Sequence, residues 1–344
     1  MQFIRSRSVG RLLTLFILLC SAGIIQSQQP TPRVVTGGMN AEFTVADQES
    51  SIGFYHDVLG LGAVSGRTNP ALPAVGQLTG TITGAAHVVR LPVPGVGWWM
   101  EIVETTGVER KPVNARRQDV GATGLILYVR DLDITLAALK KAGAPIVTIG
   151  GSPINLGKND KSRAIVAKDP NGFFIEVRQM DPLPKTTAPE TSNVIGAAIS
   201  VSVENTEKTA RYWKDMLDFD VKPEPSFSKD EKQLMLQGTP AVQIRKSIAT
   251  DSGGNVVFEF LEFKDIDRRS LMPHTQDPGS GAFAVTSSDM GALVKRLKST
   301  GETKILTVGN DALNQGARIA MFFQDLNGFI IEAIQRLNNP AGRN

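Results

Sequence analysis

Along MNAEFTVAD (residues 39–47), apolar Ala41, Phe43 and Val45 alternate with Asn40, Glu42 and Thr44. That two-residue period is the mark of a strand lying between a core and a second environment. After Asp47 the period changes: Ile52, Tyr55, Val58 and Leu59 recur at helical spacing, and a glycine closes the run. Strand-like runs follow at HVVRLPV (87–93) and WWMEIVE (98–104). The same order, strand then helix then about three strands, returns three times, opening at GLILYVRD (124–131), AAISVSVEN (197–205) and AFAVTSSD (282–289). Asp47 to Asp131 is 84 residues, and so is Asn205 to Asp289. Tyr55 to Trp213 and Glu101 to Glu259 are each 158 apart, and Glu176 to Glu332 is 156. Offsets held this closely mean four copies of one module.

The clearest copy is a phrase: DPNGFFIEVRQ at 169–179 and DLNGFIIEAIQ at 325–335. Asp-x-Asn-Gly suits a tight turn whose glycine takes the left-handed conformation, and the alternating residues after it form a strand. Each phrase fixes one glutamate, Glu176 or Glu332, at the same point of a sheet. Residues 181–193 (DPLPKTTAPETSN) carry three prolines and no apolar period, so they read as a linker. The expected division is a domain over 34–180, the linker, a second domain over 194–336 and a tail from 337 to 344.

The start of the chain reads differently. Arg5, Arg7 and Arg11 precede the apolar run Leu12–Ile25, too short to span a bilayer and suited to an export signal over residues 1–27. Residues 28–33 then form a flexible lead, and the expected location is periplasmic or secreted, without stable membrane insertion after cleavage. Removing the signal changes the charge balance. The chain has 37 Lys and Arg against 34 Asp and Glu, and three of the arginines lie in the signal, so 37 − 3 leaves 34 of each. No basic cluster suggests nucleic acid as a partner. Cys20 is the one cysteine, so the mature chain has no disulfide, thiolate ligand or cysteine nucleophile.

The strand ending in Asp47, the run SIGFYHDVLGLG and the later DPNGFFIEVRQ resemble the vicinal oxygen chelate superfamily, which includes glyoxalase I, bleomycin-resistance proteins and extradiol dioxygenases. The resemblance covers about residues 34–336. It implies an α+β fold of four βαβββ modules paired into two glyoxalase-like domains, each pair curling its sheet into a cup. Catalytic members hold a divalent metal there with residues of the first and last strands. The last-strand glutamate falls on Glu101, Glu176, Glu259 and Glu332. The first-strand ligand, seven residues before the helix-opening Asp or Asn, falls on Asn40, Gly124, Ala198 and Ala282. Three of those four cannot ligate, and Fe, Zn or Ni sites usually want imidazole beside carboxylate. The usual metal centre is therefore expected to be lost, leaving no cofactor, although carboxylates alone suit a hard cation such as Ca²⁺ or Mg²⁺.

The candidate pocket residues are Asn40, Glu42, Trp99, Glu101, Glu176, Glu259 and Glu332, with no catalytic residue assigned. Glu101 and Glu176 are expected to meet in the first domain's cup, and the second domain's cup is expected to be less acidic. Trp99 shares the strand face of Glu101 and is expected to wall it, whereas Trp213 reads as core. His56, His87 and His274 are too scattered to supply two imidazoles to one site. The favoured expectation is a small-molecule binding protein without the usual metal. A metal-dependent lyase or dioxygenase, and a degenerate scaffold for protein association, are the alternatives; a homodimer is left open.

Overall fold

A computed structural model describes residues 33–69, 73–80, 84–157, 161–239 and 242–337, and Arg33–Asn344 form one compact unit. The proposed signal, nearly all of the lead and most of the tail lie outside the described residues. Module one comprises β1 (Val35–Thr44), α1 (Gln48–Ile52) running on as a π-helix (Gly53–Val58), β2 (Ser65–Asn69), α2 (Pro73–Thr79), β3 (Ala85–Pro92) and β4 (Trp99–Thr106). Module two comprises β5 (Thr123–Val129), α3 (Leu132–Lys141), β6 (Ile154–Asn155), β7 (Arg163–Lys168) and β8 (Phe174–Gln179). Module three holds β9 (Val194–Ser202), α4 (Thr206–Leu217), β10 (Asp220–Pro223), α5 (Glu231–Leu236), β11 (Gln243–Thr250) and β12 (Val257–Lys264). Module four holds β13 (Gly281–Ser287), α6 (Met290–Lys298), β14 (Lys304–Ile305), β15 (Leu313–Asn314), β16 (Arg318–Gln324) and β17 (Ile330–Arg336).

The equally spaced residues Asp47, Asp131, Asn205 and Asp289 are the N-caps of α1, α3, α4 and α6. Each side chain accepts a backbone N–H of the first turn, as Asp47 does from Ser50 at 2.7 Å, a contact worth about 1 kcal/mol per helix.

The modules do not pair as expected. The first sheet runs β14-β16-β17-β13-β1-β4-β3-β2, with β15 on β16, and the second runs β10-β11-β12-β9-β5-β8-β7-β6. Module one thus pairs with module four through antiparallel β1 and β13, and module two with module three through β5 and β9. The division into 34–180 and 194–336 is corrected accordingly. The four opening strands are all apolar on one face and all need a neighbour, so the repeat leaves open which edges meet. The linker joins the two modules that share the second sheet.

The inner faces of both sheets, with the helices, make one continuous core. Ala41, Phe43 and Val45 point into it together with Leu125, Val177, Phe258 and Phe283, as the alternation along β1 requires. Phe43 stacks on Phe173 at 4.0 Å and Phe258 meets Phe283 edge-on at 5.0 Å, which ties the sheets together. The opposite faces form two cups. Ala282, Phe322, Ile330 and Ile334 line the apolar side of the first, and Phe174, Leu236, Leu261 and Phe263 serve the second.

Candidate functional site

Strand register decides which acids meet. β1 and β4 run parallel with Glu42 beside Glu101, and β13 and β17 run parallel with Ala284 beside Glu332. The antiparallel β1–β13 pair then joins these halves, so Glu42, Glu101 and Glu332 face one cavity of about 370 Å³. Val75, Leu78, Val88, Phe322 and Ile330 give that cavity its apolar wall, while Thr44, Thr275 and Ser280 add hydroxyls. The residue beside Glu101 is Glu42, not Asn40. Asn40 is buried one pleat away and donates Nδ2 to Glu42 Oε1 at 3.1 Å.

The three acids differ in their partners. Arg90 donates Nε to Glu101 Oε1 at 2.7 Å, and the indole of Trp99 donates to the same oxygen at 3.1 Å. The Trp99 ring lies beneath the Arg90 guanidinium at 4.9 Å, so it steadies the ion pair and is not part of the cavity wall. Arg318 Nη1 lies 3.5 Å from Glu332 Oε1. Glu42 has the neutral Asn40 and a hydrogen bond shared with Glu332. Burial first, then the negative charge of Glu332 and Glu101, pushes the Glu42 carboxyl well above the usual range. A shared hydrogen bond between two carboxyls needs one proton, and burial of the pair favours keeping it.

The second cup carries the other pair. Glu176 and Glu259 do not meet Glu101; they face each other across Arg178. The Arg178 guanidinium donates Nε to Glu176 at 2.6 Å and grips both oxygens of Glu259 through Nη1 and Nη2 at 2.6 and 2.7 Å. Gln237, just after α5, donates to Glu176 at 3.0 Å, and accepts at 2.6 Å from Arg117, which also donates to Ser200. Burial opposes ionisation of Glu176, but Arg178, helped by Lys246 and Arg117, holds its carboxyl down at about 2. Burial likewise opposes the charge on Glu259, and Arg178 again outweighs it and lowers the carboxyl. The second cup carries fewer acids than the first, two against three, but it is not simply apolar: Arg178, with Lys246 and Arg117, neutralises the pair from within.

Sequence reasoning had no place for Arg178, Arg117, Gln237, Arg90 or Arg318. The signal for Arg178 was present, since alternation along β8 puts it on the face of Glu176, two residues on. The other four come from separate strands and loops, and only the register brings them in. Gly124, a ligand position by resemblance, has no room for a side chain: a Cβ there would stand 2.6 Å from the Phe174 carbonyl oxygen. His56 contacts Asp57 and His274 contacts Asp277, and neither lines the cavity.

Residues 39–177 match the family model of the Glyoxalase/Bleomycin resistance protein/Dioxygenase superfamily. In architecture it is similar to glyoxalase I from Zea mays, at 16% identity over 87% of this chain and 92% of that one, with a TM-score of 0.57. It is also similar to a putative dioxygenase from Bacillus subtilis, at 12% identity over 90% of this chain and 87% of that one, TM-score 0.53. Identities this low establish the shared fold alone. No curated protein sequence matches this chain.

The donor set of the first cup does not fit the transition metal that the superfamily suggests. It offers three carboxylates and no imidazole, and two of the three already hold arginines. Among the described residues no group of three His, Cys, Asp or Glu is arranged to hold a metal ion.

Proposed function

We propose that this is an exported protein whose first cup binds a small organic molecule without a resident transition metal. The observation that carries the reading is the cavity of about 370 Å³, which sets a buried carboxyl cluster against an apolar wall. Concave sites of this size and mixed lining are where small molecules bind. A catalytic reading has one observation in its favour: a carboxyl whose hold on its proton is strengthened by burial, as at Glu42, can give that proton to a bound molecule. Binding requires less of the site than turnover does, and it is the reading adopted. Export rests on the charged and apolar pattern of residues 1–27.

Two measurements on the mature protein test this together. Thermal unfolding against a panel of small organic molecules is expected to show stabilisation by some of them, since ligands that favour the folded state raise its stability. Elemental analysis is expected to find no stoichiometric Fe, Zn or Ni. A transition metal present near one per chain, and lost in both Glu42→Gln and Glu101→Gln, would overturn the metal-free reading in favour of a lyase or dioxygenase. A chain that no small molecule stabilises would instead favour a scaffold for protein association.

A further inference from the structure

The repeat lets one cup be compared with the other, position by position. The 158-residue offset carries Glu101 onto Glu259, Glu42 onto Ser200 and Thr79 onto Gln237; the 156-residue offset carries Glu176 onto Glu332 and Arg178 onto Ile334. The correspondence holds in the register as well as the sequence. Arg178 lies opposite Ala164 on the neighbouring strand, and Ile334 lies opposite Ala320, its repeat partner. The second cup therefore holds an organic cation of its own, a guanidinium bridging two glutamates. The first cup keeps both glutamates, replaces the guanidinium with the buried, apolar Ile334, and adds a third acid in Glu42. Where the second cup sets Arg178 against its two glutamates, the first has a cavity beside Glu101 and Glu332.

Building on the binding reading above, we propose that the first cup takes a small organic cation, a guanidinium or amine on an apolar body, with its charged end between Glu101 and Glu332 and against Glu42. Charge counting supports this. Glu101 and Glu332 have Arg90 and Arg318, whose side chains are 43% and 38% exposed and reach in from the rim. Glu42 is the carboxyl of the three whose partners, among the described residues, include no cation. Binding would release to solvent the proton that burial favours on Glu42, and the single positive charge of the ligand would then match that carboxylate, as Arg178 matches Glu176 and Glu259. The apolar body would lie on Leu78, Phe322 and Ile330. The recognition is that of a salt bridge between a carboxylate and a planar or tetrahedral N–H donor in a water-poor site.

The test compares four probes of one size in thermal unfolding and calorimetry: butylguanidinium, butylammonium, butyrate and 1-butanol. The two cations are expected to stabilise the wild type, and the anion and the alcohol are not. Glu42→Gln is expected to weaken cation binding by about tenfold or more, a loss of at least about 1.4 kcal/mol. A second variant, Ile334→Arg, places the missing guanidinium on the protein itself; it is expected to fold and to lose its response to both cations. Equal stabilisation by butyrate or butanol would overturn the charge inference while leaving small-molecule binding intact. Stabilisation by none of the four would overturn it too, as would an Ile334→Arg protein that still responds like the wild type. The broader panel of small molecules then decides the binding reading separately.

Discussion

The Tyr55 hydroxyl donates to Asp169 Oδ2 at 2.9 Å, joining the first module's helix to the second module's Asp-x-Asn-Gly turn. One repeat later the indole of Trp213 donates to Asp325 at 3.1 Å and does the same for modules three and four. Each aspartate also accepts two backbone N–H groups of its own turn, from Asn171 and Phe173 or from Asn327 and Phe329. Each turn asparagine then reaches back to the partner module, at Ser51 or Thr209. Modules joined in sequence are thus clasped on the helix side, while the sheets pair them in the other combination.

Removing one donor from that clasp leaves a buried carboxyl short of a partner. Tyr55→Phe is expected to cost about 1–3 kcal/mol, the usual penalty for an unsatisfied buried acceptor. Urea unfolding with an unchanged slope against denaturant would show that stability changed and the unfolded state did not.

Arg178→Ala strands two buried carboxylates and is expected to cost about 3–5 kcal/mol, as breaking a buried pair does. Butylguanidinium should restore part of the loss by entering the space the side chain leaves. A variant as stable as wild type, measured by thermal unfolding, would mean that Gln237 and Arg117 suffice for Glu176 and Glu259.

The two cups should answer pH in opposite senses. Glu176 ionises at about 2 in the folded chain against an ordinary value of 4.5, so it stabilises the fold above about 4.5 and that contribution fades as pH falls towards 2. Glu42 is raised, so its contribution is complete below its unfolded value and is lost as pH rises through the folded one. The charges facing it are Glu101 and Glu332, with Arg90 and Arg318 behind them. Glu42→Gln, which copies the protonated form, should therefore gain stability over wild type at neutral and alkaline pH and match it near pH 4. Melting curves across pH read this directly.

Protein recovered from its native host is expected to begin near Gln28, outside the cytoplasm. Intact-mass measurement finding residues 1–27 still attached to cytoplasmic protein would overturn the export proposal.

Much of the fold was legible because local signals repeat. The four N-cap residues stand 84 apart in each half because each opens the helix of a module, and the alternation along β1 sent Phe43 inward and Glu42 into the cup. The pairing of modules was not legible, because choosing β13 over β5 as the neighbour of β1 is a choice between two similar apolar strands. The site inherits that limit. Glu101 and Glu42 were readable as cup residues, but Glu332 as their companion followed only from the pairing, and Glu42 rather than Asn40 as the residue beside Glu101 followed only from the register.

The order of pairing also sets an order of assembly. Leu125 pairs with Ile199, 74 positions on, whereas Phe43 pairs with Gly281, 238 positions on. Closing the longer loop costs more entropy, and contacts so distant form late. As the chain emerges, its middle modules can close the cup that contains its own cation while β1 still waits for β13. The open cup is then the last piece to exist. A nascent or truncated chain lacking module four would have no cavity to offer, so occupancy of the pocket would report on a finished molecule.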